Sequence, residues 1–196
     1  MYQKMLKRVI DILLSLIGLI ALSPLFLLII SAIKLNSKGP VLFKKRRVGK
    51  DKVLFKIYKF RTMKIETPKD APTHLLKNPN FFIMKVGKFL RKTSLDELPQ
   101  LINILKGEMS IIGPRPALWN QYDLVNEHDK YHANDIDPGL TGWAQINGRD
   151  EMPIRKKTAL DGEYMENISF SFDVKCFIGT IISVVKNDGV VEGGTR

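Results

Sequence analysis

The segment Arg91-Lys92-Thr93-Ser94-Leu95-Asp96-Glu97-Leu98-Pro99-Gln100 gathers the side chains best suited to chemistry on phosphates. Asp96 and Glu97 are adjacent carboxylates behind a basic pair. An ionised carboxylate attacks phosphorus without a base to activate it. Paired carboxylates also suit Mg2+, which prefers oxygen ligands and shares itself with substrate phosphates. Arg91, about one turn upstream, can neutralise phosphate charge; a headgroup contact is its simpler use. The same residues have a structural reading. Thr93 or Ser94 followed three residues later by Asp or Glu is a capping box. With Asp96 as the cap, Pro99 falls within the first helical turn, where no partner is lost, and the positive helix end favours the ionised carboxyl. Spacing alone leaves capping and chemistry both open.

Other candidates are weaker. His128 and His132 are at i, i+4, a spacing that binds zinc, but no glutamate follows His128 as in H-E-x-x-H, and a polar helix face is the better reading. Asn167-Ile168-Ser169 has the form of a glycosylation acceptor, which means little unless that surface meets a glycosylating compartment. The single cysteine, Cys176, excludes an internal disulfide framework. The common glycine-rich nucleotide loops are absent.

These residues need elements to position them. Ile12 to Ile33 is a run of 22 uncharged residues, long enough to span a bilayer. Ser23-Pro24 interrupts its centre. Pro24 deprives the Ile20 carbonyl of its helical partner, and the Ser23 hydroxyl can reach back to relieve part of that cost. A break there leaves two arms of about 11 residues, roughly 16 Å each. Basic residues flank both ends: Lys4, Lys7 and Arg8 before, Lys34, Lys38, Lys44, Lys45, Arg46 and Arg47 after. A straight span would put one cluster on the outer face, against the positive-inside tendency. A re-entrant segment keeps both at the anionic inner leaflet. Physics alone leaves a kinked span and a hairpin open. Asp11 reads as a solvated interfacial charge rather than a partner of Lys7 or Arg8.

Further on, Val41–Arg47 and Val53–Arg61 read as a basic β-hairpin turning at residues 49–52. Residues 66–80, with Pro68, Pro72 and Pro79, read as a loop. Helical spacing covers Phe81–Lys92, Leu98–Leu105 and Phe172–Val185, the last amphipathic and suited to the core or a membrane surface. Gly113-Pro114-Arg115-Pro116 is a rigid loop, and Pro138 to Arg149 a second, glycine-rich loop region. Charge is uneven. Residues 1–65 hold 15 basic and two acidic side chains, whereas the whole chain has a net charge of +11. The excess is local, which argues for one polyanionic partner of the N-terminal third and against a nucleic-acid coat.

Lys7-Arg8-x-x-Asp11, Ser23-Pro24, Lys59-Phe60-Arg61-Thr62-Met63, Ser94 to Gln100, Gly113 to Pro116 and Pro138 to Arg149 occur in this order. With them the chain resembles the bacterial sugar transferases, the monotopic phosphoglycosyl transferases that prime glycan assembly. The likeness runs from about residue 2 to 190. The length resembles the small members, such as the priming enzyme of bacterial N-glycosylation; the additional membrane helices of larger members are missing.

The resemblance implies an α+β fold. Residues 1–36 would form a re-entrant membrane helix-break-helix at Ser23 and Pro24. Residues 37–196 would form a cytoplasmic interfacial catalytic domain, one structural unit with the hairpin, with a small β-hairpin and amphipathic helices around a compact core. It implies transfer of a sugar 1-phosphate from a UDP-sugar to undecaprenyl phosphate with release of UMP. Asp96 would be the nucleophile and carry a phosphosugar-aspartyl intermediate. Glu97 would support Mg2+ (or Mn2+) or shuttle a proton, with Asp96 and Glu97 as the metal ligands. Arg91, Arg115, Arg149 and Lys59 would bind phosphate or donor. The expected donor is an N-acetylated amino sugar, with UDP-glucose or UDP-galactose as the alternative. Expected partners are anionic lipids, downstream glycosyltransferases and a second copy of the chain, with no nucleic acid. The expected place is the bacterial inner membrane, with the site on the cytoplasmic face. The rivals are a non-catalytic lipid-binding adaptor and a membrane phosphohydrolase.

Topology is testable directly. In a Cys176→Ser background, single cysteines at positions 2 and 38 should react with an impermeant reagent from the same side of closed vesicles; labelling from opposite sides would sink the re-entrant reading.

Overall fold

In a computed structural model describing residues 2–67, 79–148 and 152–186, the uncharged stretch forms two helices. Helix α1 spans Lys7–Ala21 and α2 spans Ser23–Asn36, with a bend of 61° between them. The break has the chemistry expected of Ser23-Pro24: Ser23 Oγ donates to the orphaned Ile20 carbonyl at 2.8 Å. No single helix among the described residues is long and apolar enough to cross a membrane; the bent pair is so only together.

Helix α1 is inverted relative to a helix on a water-soluble domain. Val9, Leu13, Leu16, Ile17 and Ile20 face outward, while Lys7, Asp11 and Ser15 are buried. These three lie four residues apart and form one polar stripe against the rest of the chain. Asp11 is therefore not a solvated interfacial charge. It accepts hydrogen bonds from Ser110 Oγ at 2.8 Å and from the Ile111 amide at 3.0 Å. Nor do Lys7 and Arg8 lie at a lipid surface, as their place before the apolar run suggests. Lys7 pairs with Asp173 at 2.6 Å, and Arg8 donates to the Ile104 and Leu105 carbonyls. The reason is that a buried charge is costly unless it is paired and hydrogen-bonded, and the partners of these charges lie on the protein side of the helix.

The basic hairpin forms as read. β1 (Leu42–Val48) pairs antiparallel with β2 (Leu54–Phe60) around a tight turn at Lys50–Lys52. Its Phe55 and Ile57 enter a core with Leu101, Ile104, Met109, Ile111, Ile112 and Tyr164, while Phe60 joins Ile29 and Ile33 of α2, Met84 and Leu90 in a second. Arg61 holds the end of α2 by donating to the Ser37 and Lys38 carbonyls.

The helix read over Phe81–Lys92 divides into α3 (Pro79–Phe82) and α4 (Lys85–Lys92). Ile83 bridges to Met63, and the Met84 amide is taken by the Thr62 carbonyl, so the backbone between them cannot be helical. Of the loop read over 66–80, residues 68–78 lie outside the described residues and Pro79 begins α3. Helix α5 covers Gln100–Lys106. It leads into β3 (Ser110–Ile112), and α6 follows at Tyr122–Asp129. The glycine-rich stretch is more regular than its composition suggests. It contains β4 (Gly139–Thr141), parallel to β3, and a short helix, α7 (Trp143–Ile146). Its glycines permit close approach: a Cβ on Gly139 would lie 2.2 Å from the Gly113 nitrogen, and one on Gly142 2.1 Å from the Gly113 oxygen. Helices α8 (Ile154–Glu166) and α9 (Phe170–Lys186) complete the described chain. α9 packs Asp173, Cys176 and Ser183 inward and leaves Phe177, Ile178, Ile181 and Ile182 exposed.

Asp11 supplies a test. Asp11→Ala leaves a buried hydroxyl and a buried amide unpaired, at about 1–3 kcal/mol each. Thermal unfolding of the detergent-solubilised protein should show a clear loss of stability, against almost none for the exposed Lys38→Ala.

Candidate active site

Asp96 and Glu97 sit in a single tight turn, Leu95–Glu97, between α4 and α5. Ser94 takes a left-handed conformation (φ 56°), which reverses the chain after α4. Leu95 and Leu98 pack into the second core, three residues apart, and this pins the turn with its carboxylates on the other side. The capping alternative fails. α5 begins only at Gln100, and no side chain caps either it or the preceding turn. Asp96 accordingly is not the N-cap at the positive end of α5. Pro99 precedes that helix, where its missing N–H costs nothing.

The two carboxylates have different surroundings. Glu97 Oε1 accepts from Lys59 Nζ at 2.5 Å and from Arg115 Nη2 at 3.1 Å. Burial pushes its pKa up, but Arg115 and Lys59 outweigh burial and hold it well below the usual carboxylate range. Asp96 has no hydrogen-bond partner among the described residues. Burial drives its carboxyl up, to about 6; Lys59 pulls against burial, the Glu97 charge adds to it, and Arg91 and Arg115 pull it down. One carboxylate is thus a permanent anchor for cations. The other is an uncommitted group that titrates near neutrality.

The basic residues come from three directions. Lys59 is on β2, one residue before Phe60 enters the core. Arg115 is in the Gly113–Pro116 loop, whose Pro114 carbonyl binds the Gly139 amide and whose Pro116 carbonyl binds Arg47. Arg91 is on α4 and donates through Nε to Thr62 Oγ1 at 2.9 Å. Gly87 lets α4 approach Thr62 this closely, since a Cβ there would lie 2.1 Å from the Thr62 oxygen. The structure therefore joins Asp96, Glu97, Lys59, Arg91 and Arg115 in one cluster. Lys59 and Arg115 both reach the dyad through Glu97 Oε1. Arg149 lies outside the described residues. Ser23 and Pro24 form the helix break and belong to no chemical cluster. Thr62, which orients Arg91, went unassigned by sequence, although its place in Lys59-Phe60-Arg61-Thr62-Met63 marked the segment.

The dyad is a fitting partner for a hard divalent cation. Asp96 has both oxygens uncommitted, and Glu97 Oε1 alone carries the two ion pairs. Two carboxylates are few for a fully protein-held metal, but Mg2+ ordinarily keeps waters and substrate phosphates as its other ligands. The histidines do not make a metal site. α6 ends at Asp129; His128 is buried on Asp161 at 2.9 Å, whereas His132 is exposed, has φ 57° and bonds Asp135. Nor is His128 on a polar helix face, because α8 covers it. Burial pushes the Cys176 thiol up to about 12, which removes it as a nucleophile.

Comparison with known proteins bears on this cluster. The sequence profile of the bacterial sugar transferases matches residues 2–187. An uncharacterised sugar transferase of Bacillus subtilis, EpsL, is 39% identical over 187 residues, covering 95% of this chain and 91% of that one. The exopolysaccharide production protein ExoY of Sinorhizobium fredii is 36% identical, covering 93% of this chain and 87% of its own. A UDP-glucose:undecaprenyl-phosphate glucose-1-phosphate transferase of Escherichia coli is 43% identical over 91% of this chain. The chain spans only 40% of the length of that relative.

The asymmetry of the dyad predicts opposite effects on stability. Asp96 binds its proton more tightly when folded, so its charge costs stability as pH rises from 3.8 through about 6. Glu97 binds its proton less tightly when folded, so its pairs stabilise above pH 4.5 and are lost as pH falls below it. At neutral pH Asp96→Asn should raise the melting temperature and Glu97→Gln should lower it, by on the order of 2–4 °C per kcal/mol. Both differences should shrink toward pH 3 in a melting series.

Proposed function

The chain belongs to the bacterial sugar transferase family, and on that premise we propose that it transfers a sugar 1-phosphate from a UDP-sugar to undecaprenyl phosphate and releases UMP. The observation that carries the reading is Asp96: a half-buried carboxylate without a hydrogen-bond partner among the described residues, beside a carboxylate already held by two cations. Asp96 attacks the sugar-linked phosphorus, and the bond from that phosphorus to the UMP oxygen breaks. A phosphosugar-aspartyl intermediate results. An oxygen of the lipid phosphate then attacks the same phosphorus, and the Asp96 carboxylate leaves. One phosphoanhydride replaces another, so positioning and charge neutralisation carry the catalysis.

Arg91, Lys59 and Arg115 surround the place where the donor phosphates would lie. Glu97 stays ionised at working pH, so a proton-shuttling role is disfavoured; it orients Lys59 and Arg115. Asp96 and Glu97 would hold Mg2+ or Mn2+, which supplies charge neutralisation at the diphosphate when bound. Glucose is the donor we favour, because a relative covering most of this chain is named for UDP-glucose. The N-acetylated amino sugar has no comparable support. The outward apolar faces of α1 and α2 favour a re-entrant hairpin in the inner membrane, with the dyad on the cytoplasmic side.

With UDP-glucose, undecaprenyl phosphate and Mg2+, the protein should release UMP, and Asp96→Asn should lower the rate at least ~10³-fold while still partitioning into membranes. Without the lipid acceptor, a stoichiometric burst of UMP is expected; retention of activity in Asp96→Asn would refute the covalent route. The ionised carboxylate is the attacking form, so kcat/KM should fall as pH drops below about 6.

A further inference from the structure

The outer face of the β-hairpin has a charge arrangement that folding alone does not favour. Arg46 and Lys56 stand directly opposite one another across β1 and β2. Like charges in directly opposed positions destabilise a strand pair. Two residues along, Lys44 stands opposite Tyr58, with its ammonium 5.2 Å from the ring centroid. Lys106, from the end of α5, lies 4.7 Å from the same centroid and donates to the Tyr58 hydroxyl at 2.7 Å. Lys44, Arg46, Lys56 and Lys106 form no ion pair with a carboxylate among the described residues. Four cations are thus held together by strand register, Tyr58 and, for Arg46, the Trp119 ring 4.8 Å away, and the one acidic side chain that acts on them, Glu108 beside Lys106, forms no ion pair with it.

The place of the patch indicates what neutralises it. Arg8, at the start of α1, binds the Leu105 carbonyl, one residue before Lys106. At the other arm, α2 ends at Asn36 and β1 begins at Leu42. The patch is therefore tied to both ends of the apolar helix pair, where chain leaves a membrane surface. Lys7 and Arg8, the cations that sequence position assigned to that surface, are turned into the protein instead. From these observations we infer that Lys44, Arg46, Lys56, Tyr58 and Lys106 form a binding site for the phosphodiester headgroups of anionic phospholipids. The inference rests on the re-entrant membrane reading given above. A headgroup phosphate sits between two ammonium groups, and the tyrosine keeps both lysine stems extended toward it. The site is separate from the dyad and serves orientation rather than chemistry.

The test uses the full chain, transferred from detergent into a mixture of phosphatidylcholine vesicles and phosphatidylglycerol-containing vesicles that can be separated by density. Wild type should favour the anionic vesicles, less so as salt rises. Lys44→Ala/Lys106→Ala should lower that preference roughly 30-fold, about 5-fold per lysine. An exposed control pair of equal charge, Lys50→Ala/Lys156→Ala, should leave most of it. UMP release in neutral detergent should be the same for all three proteins. Equal partitioning of wild type between the vesicles would overturn the inference, as would equal losses in the two variants. So would abolition of the preference by millimolar inorganic phosphate at constant ionic strength, or a defect confined to vesicles carrying polyprenyl phosphate. Failure of wild type to enter either vesicle would instead overturn the membrane reading on which the inference depends.

Discussion

A helix with an apolar outer surface can keep a charged side chain only where a partner meets it, and α1 keeps three, two of them buried. Lys7 and Asp11 are buried, and each is answered from a different part of the chain: Asp173 of α9 for one, Ser110 and the Ile111 amide of β3 for the other. Asp173 also accepts from the Tyr2 and Tyr164 hydroxyls. Breaking either contact strands a charge in low dielectric, so the rotation and height of α1 against the remainder are tightly specified. The apolar face follows from that rotation. With the polar stripe turned inward, Val9, Leu13, Leu16, Ile17 and Ile20 have only one direction left to face. α1 is therefore joined to the part bearing the dyad by paired polar contacts as well as by the chain itself.

The same rule, applied at the dyad, separates two adjacent carboxylates into different roles. Glu97 is deeply set and doubly paired, which makes it a fixed counter-charge that keeps Lys59 and Arg115 converging. Asp96 shares the burial without the pairing. In the reaction proposed above, a nucleophile bound as firmly as Glu97 would have to lose an ion pair before attacking. One without hydrogen-bond partners keeps its lone pairs available, and the cost appears as a raised pKa. The three nearby cations lower that cost without occupying the oxygens. This division of labour needs the two side chains adjacent but unequally placed among the same cations, and a 3-residue turn fixed by Leu95 and Leu98 provides it in place of a regular helix.

Much of this was legible in the sequence, and the failures have physical causes. The dyad, the hairpin, the Ser23-Pro24 break and α9 are encoded locally, by adjacent residue types or by periodicity, and all appear. Lys59, Arg91 and Arg115 could be nominated from their motifs, but their convergence on Asp96 and Glu97 depends on contacts between distant segments. β3 and β4 were missed because three-residue strands carry no period, and because glycines that read as loop are there for close backbone packing. Asp11 was misjudged for a related reason. Three polar residues four apart on an apolar helix describe a stripe, but the sequence does not say whether water or protein lies against it. The helix after residue 80 broke where Thr62 claimed an amide, a tertiary contact that outranks local spacing.

The route by which the helix pair fixes the dyad can be traced through one short element. Arg8 donates to the carbonyls of Ile104 and Leu105 in the last turn of α5, the first of which also accepts from the Gly107 amide. A cation at that end also meets the negative pole of the helix. α5 has seven residues, about 10 Å of rise. Its other end follows the Leu95–Glu97 turn directly through Leu98 and Pro99. A rigid rod of two turns therefore connects the entrance of α1 to the Leu95–Glu97 turn, and Asn103 locks the rod to β2 by bonding the Tyr58 amide and the Lys56 carbonyl. Because Lys59 is on that same strand, the cation and the carboxylate it faces are registered against one another through Asn103. The reaction proposed above needs Asp96 at a fixed position relative to α1, and that position is set by a short path through α5, held by the hydrogen bonds of Arg8 at one end and of Asn103 along it.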